Sequence, residues 1–352
     1  MRHPLLVCAA LSLGLSMGAK AAAPSVAVDI APLHSLVSQV MDGVGKPNLL
    51  IPAAASPHRY TLRPSEVKAL AGAKVVFWMG ESYTPWLEKA LDNVASSAHK
   101  IEVLEIEGTT TYAYREGATF ESHDHGEEEH GDDKHHKDEH HEKHQPHTEE
   151  PHKKEHHKED KHAKRDDHKK DDHHDEHHHD HEGNDPHAWL DPENAKLWIK
   201  SIRDTLSKQD PENASAYQRN AAKAVASLDA LIQSTRTQVN DLDQPQFIVF
   251  HDAYQYFEKR FNISAAGSIA LGDAEDPSPA RIKEIRDTVK KLGVSCVFTE
   301  PQYNPGLVKN VFAGTSISTI GVMDPLGANL SIGSDQYQAL IQGMVSSLSQ
   351  CK

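Results

Sequence analysis

Six histidines stand apart from the other twenty in this chain: His3, His34, His58, His99, His187 and His251. Three of these lie where the chain offers chemistry. His58 follows the apolar run 48–52, and His251 follows the run 246–250. His187 stands in Asn184-Asp185-Pro186-His187-Ala188-Trp189-Leu190, just before a helix start. Glu300 and Asp324 follow two further apolar runs, 295–299 and 317–322. In open α/β sheets ligands bind outside the carboxyl ends of the strands, so these positions carry information. Three neutral imidazoles from separate loops plus one oxygen ligand suit zinc, with Zn–N distances of about 2.0–2.1 Å. Harder Mn²⁺ would prefer more carboxylate oxygen. Taken singly, each of these histidines also reads as a hydrogen-bonded structural residue. His34, at a helix start, and His99, after Ser-Ala, read as structural and exposed respectively.

The elements that must position them alternate. Strands are expected at 26–30, 48–52, 74–79 and 101–106, with helices at 33–40, 64–71 and 86–95. Pro64 fits the first position of its helix. Strand–helix alternation implies a parallel sheet with helices on its faces. Asp191-Pro192-Glu193 gives an N-cap, a first-turn proline and a first-turn acid, and opens a helix to about 206. Asp210-Pro211-Glu212 repeats that signal. The apolar steps from Ala214 through Tyr217, Ala221, Val225, Leu228 and Ile232 then continue without Gly or Pro until Pro245. A helix of nearly thirty residues spans about 45 Å and can act as a strut between lobes. The second half alternates again, with strands at 246–250, 295–299 and 317–322 and helices at 253–260, 278–292, 305–313 and 335–348. The fold class is α/β: two parallel-sheet lobes, 24–210 and 241–352, joined by a long helix at 211–240. Trp86, Trp189 and Trp198 read as packing residues, Trp189 also as a shaper of the site.

Within the first lobe lies a segment of a different kind. Twenty of the 26 histidines fall in 121–182, with 23 Asp/Glu and 11 Lys/Arg. The whole chain is at −15, so this segment carries most of the acidic balance and the remainder is nearly neutral. The stretch 117–183 holds almost no large apolar residues and cannot bury enough surface to offset chain ordering, so it is expected to be a disordered insertion. Its pairs and triplets, His173-His174 and His177-His178-His179, can chelate metal weakly. Against that stands a solvated charge run with incidental affinity. Imidazoles near their reference pKa of about 6.5 would release metal as pH falls. No basic patch exists to neutralise phosphates, which argues against nucleic acid as a partner.

The first 23 residues read as a secretory signal: Arg2 and His3, an apolar run from Leu5 to Met17, then small residues before a break near Ala21–Ala23. The run is too short to span a bilayer. Cys8 leaves with the signal. Cys296 and Cys351 remain, and in an exported chain a lone pair is most simply a disulfide, rather than two free buried thiols. It would close a loop of roughly 55 residues, for which the chain-entropy model gives about 4 kcal/mol.

Several stretches carry a family resemblance. Pro57-His58-Arg59-Tyr60-Thr61-Leu62-Arg63-Pro64-Ser65, Asp185-Pro186-His187-Ala188-Trp189-Leu190-Asp191-Pro192 and Phe250-His251-Asp252-Ala253-Tyr254-Gln255-Tyr256-Phe257 resemble the three metal-ligand motifs of the ZnuA family. That family holds the high-affinity zinc-binding members of the metal-binding cluster of ABC-transporter solute-binding proteins. Cys296-Val297-Phe298-Thr299-Glu300-Pro301-Gln302, Met323-Asp324-Pro325-Leu326-Gly327, the His-rich insertion and the cysteine pair are also similar to it. The resemblance covers essentially the whole mature chain. It implies a rigid linking helix, a metal in the cleft between two lobes, and His58, His187 and His251 as ligands. It implies Zn²⁺ as transported cargo, a periplasmic monomer, and a membrane permease with its ATPase as partners. Some members place Glu before the first ligand histidine, where this chain has Pro57; others use a carboxylate at the position of Asp324. Asp324 or a water is therefore the expected fourth ligand.

Two other classes compete. A secreted zinc hydrolase would also use three histidines with an open position, but the chain has no HExxH and no Ser or Cys in a nucleophile elbow. A metal-buffering or adhesive surface protein would make the insertion its working part. Manganese is a rival cargo within the leading class, and three imidazoles argue against it.

Overall fold

The computed structural model describes residues 23–115, 117, 119–120, 183–270, 277–303 and 305–351. The signal at 1–23, apart from Ala23, and the insertion's His173, His174, His177, His178 and His179 lie outside the described residues.

Two four-stranded parallel sheets carry the fold. The first is built from β1 (Val26–Val28), β2 (Asn48–Leu49), β3 (Val75–Trp78) and β4 (His99–Glu102), in the order β2-β1-β3-β4. The second is built from β5 (Phe247–His251), β6 (Gly267–Ala270), β7 (Cys296–Thr299) and β8 (Thr319–Val322), in the order β6-β5-β7-β8. The two orders are the same, one element for one, although the sequence shows no repeat. In each sheet the chain steps outward to one side and then crosses to the other. The switch points therefore fall between β1 and β3 and between β5 and β7, where such sheets hold their ligands.

Helices α1 (Ala31–Val40), α2 (Pro64–Ala71) and α3 (Pro85–Val94) serve the first sheet, and α6 (Gln255–Phe261), α7 (Pro279–Leu292) and α8 (Pro305–Val311) the second. Between them run α4 (Pro192–Gln209) and α5 (Ala214–Asn240), and α9 (Gln336–Leu348) closes the chain. The start signals work as their chemistry demands. Asp191 accepts the Glu193 N–H at 2.9 Å ahead of Pro192, and Ser278 accepts the Arg281 N–H at 3.2 Å ahead of Pro279. The proline at 211 opens a short 3₁₀ turn, Pro211–Asn213, before the 27-residue α5 begins. That length is about 40 Å. α5 buries Tyr217, Ala221, Leu228, Ile232 and Val239 on one face and packs on α1, α4 and α9.

The last helix returns to the first. Ser35 Oγ donates to Ser334 O at 2.9 Å and accepts the Tyr337 N–H at 3.0 Å, so α9 lies against α1 as well as α5. Beyond α9, Cys351 is bonded to Cys296 at the start of β7.

Strand alternation sorts the second sheet. Phe247 and Val249 face the larger core, which is shared with α1, α5 and α9, while Ile248 and Phe250 face the smaller one beside α7 and α8. Cys296 and Phe298 likewise face the larger core and Val297 the smaller. His251 and Glu300 continue the parity of the larger-core face at the carboxyl ends of their strands.

Three expectations shift. β4 begins at His99, two residues before the expected run, because it pairs with the start of β3 through Val75↔His99. β6 was not expected: Gly-Ser-Ile-Ala has one large apolar residue, and its strand state comes from pairing with β5. The ordered chain also runs past Gly117. Thr119 bridges Gly267, and the Phe120 N–H donates to Ala266 O at 3.1 Å.

Candidate metal centre

The site begins with the register of β5 and β7. Phe247 pairs with Cys296 and Ile248 with Val297. That offset of 49 carries to His251 and Glu300 at the strand ends. The His251 Nδ1–H donates to Glu300 Oε1 at 2.7 Å. His187 arrives from another direction, just ahead of the 3₁₀ turn Ala188–Leu190. Its Nδ1–H donates to Asp185 Oδ1 at 2.7 Å, and its backbone N–H donates to the same oxygen at 2.9 Å. Asp185 is itself held from α6: Gln255 Nε2 donates to its carboxylate at 3.2 Å and the Tyr256 hydroxyl to its carbonyl at 2.6 Å.

Each carboxylate thus takes an Nδ1 proton and leaves Nε2 as a lone-pair donor. The two Nε2 atoms face each other at 3.4 Å. Nitrogens held at about 2.0–2.1 Å by one tetrahedral zinc would be about 3.3–3.4 Å apart. His187 and His251 are both buried. Two buried lone pairs so placed repel unless a cation sits between them and a third direction.

His58 stands on the 3₁₀ turn Pro57–Arg59. Its ring is 6.2 Å from that of His187, against 5.2 Å between the rings of His187 and His251. Its neighbour is Tyr83, edge-on at 4.7 Å, which also contacts His187 at 5.8 Å and Trp189 at 5.0 Å. Trp86 anchors the turn, its indole N–H donating to Pro57 O at 2.7 Å. Below the turn Tyr60 donates its hydroxyl to Glu66 at 2.9 Å, and Glu66 accepts the Arg63 N–H at 2.7 Å.

Tyr83, His187, His251, Glu300, Gln302 and Tyr303 line a cavity of about 10 Å³, room for one water-sized body. A larger cavity of about 130 Å³ beside α1 and α5 is lined by Asp42, Lys223 and Asp335 and by no imidazole, so size does not choose the site. Among the described residues no group of three His, Cys, Asp or Glu is already drawn together as a finished metal cage. The His187–His251 pair is formed, and His58 is adjacent to it.

Asp324 is not among the residues that line this cavity. Its carboxylate accepts the N–H groups of Leu326 at 3.0 Å, Gly327 at 2.9 Å and Ala328 at 2.5 Å. Gly327 has φ +72°, and a Cβ there would stand 2.4 Å from Gln336 Nε2, so the turn that wraps the carboxylate requires glycine. Of the two expected fourth ligands, Asp324 or a water, the carboxylate shapes its own loop. His34, by contrast, is structural as expected, with Nε2 on Pro47 O at 3.1 Å. His99 is exposed. Trp189 is fully buried and donates to Pro325 O at 2.8 Å; Trp198 donates to Thr109 Oγ1 at 3.1 Å.

A second polar cluster begins at the residue after His251. Arg115 pairs with Asp252 and, at 2.8 Å, with Glu258. Burial opposes its charge, yet Glu258 and Asp252 hold the guanidinium above its ordinary range. Burial raises the Asp252 carboxyl, with Arg115 opposing. Burial also pushes the Tyr254 hydroxyl well up, with Glu300 adding to it. Sequence reasoning did not find Tyr83 or the clasp at Arg115, and it named Glu300 only by its place after a strand.

A family model described as "Zinc-uptake complex component A periplasmic" matches residues 26–351. The High-affinity zinc uptake system protein ZnuA of Brucella abortus (strain 2308) is 46% identical over 326 residues, 93% of this chain and 91% of that protein. The protein of the same name from Paracoccus denitrificans (strain Pd 1222) is 39% identical over 351 residues, 100% of this chain and 98% of that one. A solved structure of a ZnuA deletion mutant with zinc bound has a TM-score of 0.65 at 22% identity, covering 92% of this chain and 98% of that chain. The chain belongs to the ZnuA family.

Proposed function

We propose that this chain captures Zn²⁺ in the cleft with His58, His187 and His251 and delivers it to an ABC permease for import. As a ZnuA family member it is the zinc-binding component of a periplasmic zinc-uptake complex, a transport protein and not an enzyme. The observation that carries the ligand assignment is the pair of Nε2 lone pairs at 3.4 Å, each fixed by a carboxylate on its Nδ1. Carboxylate–histidine–zinc arrangements raise ligand basicity and fix the tautomer. Imidazole donors in place of carboxylates favour zinc over manganese.

The working form is a monomer exported through the 1–23 signal, with the permease and its ATPase as partners. The 121–182 segment collects zinc at several weak sites, among them His173-His174 and His177-His178-His179, and raises the ion's concentration near the cleft. Its sites order on each capture and stay weak. A zinc titration with stoichiometry tests both parts. Deleting 121–182 should leave one tight site and remove several weaker ones. His58→Ala, His187→Ala and His251→Ala should each weaken the tight site. Loss of the tight site with the deletion alone would refute the ligand assignment.

A further inference from the structure

Three imidazoles leave a tetrahedral zinc one ligand short, and the carboxylates near the cavity are engaged. Asp324 holds three backbone N–H groups. Glu300 accepts from the His251 ring and interacts with the Tyr254 hydroxyl. The wall beside them has two side-chain oxygens of another kind. Among the described residues, Gln302 Oε1 and Tyr303 Oη are buried without a hydrogen-bond partner, and both residues line the cavity with His187 and His251.

Their orientation is set. Gln302 Nε2 is turned toward two oxygens, Ala53 O and Asp324 Oδ1, each at 3.5 Å. An amide flip would set Oε1 against those acceptors, so Oε1 keeps the other direction. The Tyr303 ring stacks on Phe250 at 4.1 Å and 24°, and lies 6.1 Å from the His251 ring. Buried oxygens without partners cost stability, and two in one wall of one small cavity call for a donor.

We propose that Gln302 and Tyr303 are positioning residues for a water that completes the zinc shell. The proposal rests on the cleft being the zinc site. A water bound to zinc through one lone pair has two hydrogens left and, polarised by the ion, is a strong donor. Gln302 Oε1 and Tyr303 Oη are two acceptors for those two hydrogens. The amide and the phenol hydroxyl add no charge to the shell, which suits a cargo ion that must leave better than a fourth anionic side chain would.

The test is a zinc competition titration on the full chain carrying Tyr303→Phe, Gln302→Met and both, with Co²⁺ as a spectroscopic probe of the shell. Each single change should weaken zinc by about tenfold, since each removes a hydrogen bond to an ion-polarised donor. The visible Co²⁺ bands should shift in both. Without metal, Tyr303→Phe should unfold at the same temperature or higher, because the hydroxyl has no protein partner to lose. A double variant that binds zinc within about twofold of the parent with unchanged Co²⁺ bands overturns the proposal. So does a metal-free Tyr303→Phe chain that is less stable. His187→Ala is the separate control: a tight site that survives it means the cleft reading itself has failed, whatever Tyr303→Phe does.

Discussion

Two walls of the site hold their imidazoles in different ways. On one, His187 and His251 each stand on a buried carboxylate at 2.7 Å, and the element behind them, α6, ties Asp185 through Gln255 and Tyr256. On the other, His58 rides a 3₁₀ turn with its ring edge-on to Tyr83, and the Trp86 indole N–H anchors the turn at Pro57 O. The first wall presents lone pairs already fixed in tautomer and direction. The second presents a ring packed edge-on against Tyr83 at 4.7 Å. Preorganised donors lose less on binding, so the His187–His251 wall should supply most of the affinity, and His58 should complete the shell at lower gain.

The largest effect should come from the first wall. Zinc binding by structural protein sites is worth about 10–16 kcal/mol, or roughly 3–4 kcal/mol per ligand, so His187→Ala or His251→Ala should cost about 300-fold in zinc affinity. His58→Ala should cost about tenfold less than either, because its ring stands 6.2 Å from that of His187, against 5.2 Å within the His187–His251 pair. Competition titration with a chromophoric chelator reads all three. An equal loss for the three variants would erase the distinction between the walls.

Next in size are the carboxylates themselves. Glu300→Ala and Asp185→Ala should each lower zinc affinity by about 10–100-fold, with the tight stoichiometry kept. Glu300→Gln should recover part of the loss, since its amide oxygen can still accept from Nδ1. Isothermal titration separates these outcomes, and a Glu300→Ala chain with parental affinity would show that the strand-end pairing does not serve the metal.

How much of this could be read in advance depends on whether the signal is local. His251 and Glu300 are legible: both follow apolar runs, and the parallel register joins them with the same 49-residue offset that pairs Phe247 with Cys296. Asp185 is also legible, two residues from the histidine it orients. The start prolines, the long α5 and the Cys296–Cys351 bond were readable because capping, periodicity and thiol pairing are each carried by few residues. Tyr83 is not legible. It lies in Gly80-Glu81-Ser82-Tyr83-Thr84, which has no strand or helix pattern, and its contacts to His58 and Trp189 come from distant segments. The same holds for Arg115, whose partners Asp252 and Glu258 lie more than 130 residues on. Asp324 is legible only as a carboxylate after a strand, and the three N–H groups of its own turn that it holds come from the fold of that turn.

The smallest effect belongs to the second wall. Trp86→Phe keeps an aromatic ring beside Tyr60 and removes only the N–H that holds Pro57 O. A net hydrogen bond of this kind is worth about 1 kcal/mol, so zinc should weaken by about fivefold at most. The loss should fall on the dissociation rate, because the turn carrying His58 is loosened while His187 and His251 keep their carboxylates. Stopped-flow release into excess chelator measures it directly. A loss as large as that of Glu300→Ala would mean that the indole anchor fixes His58 as firmly as a carboxylate fixes His251, and the two walls would then be equal partners in holding the ion.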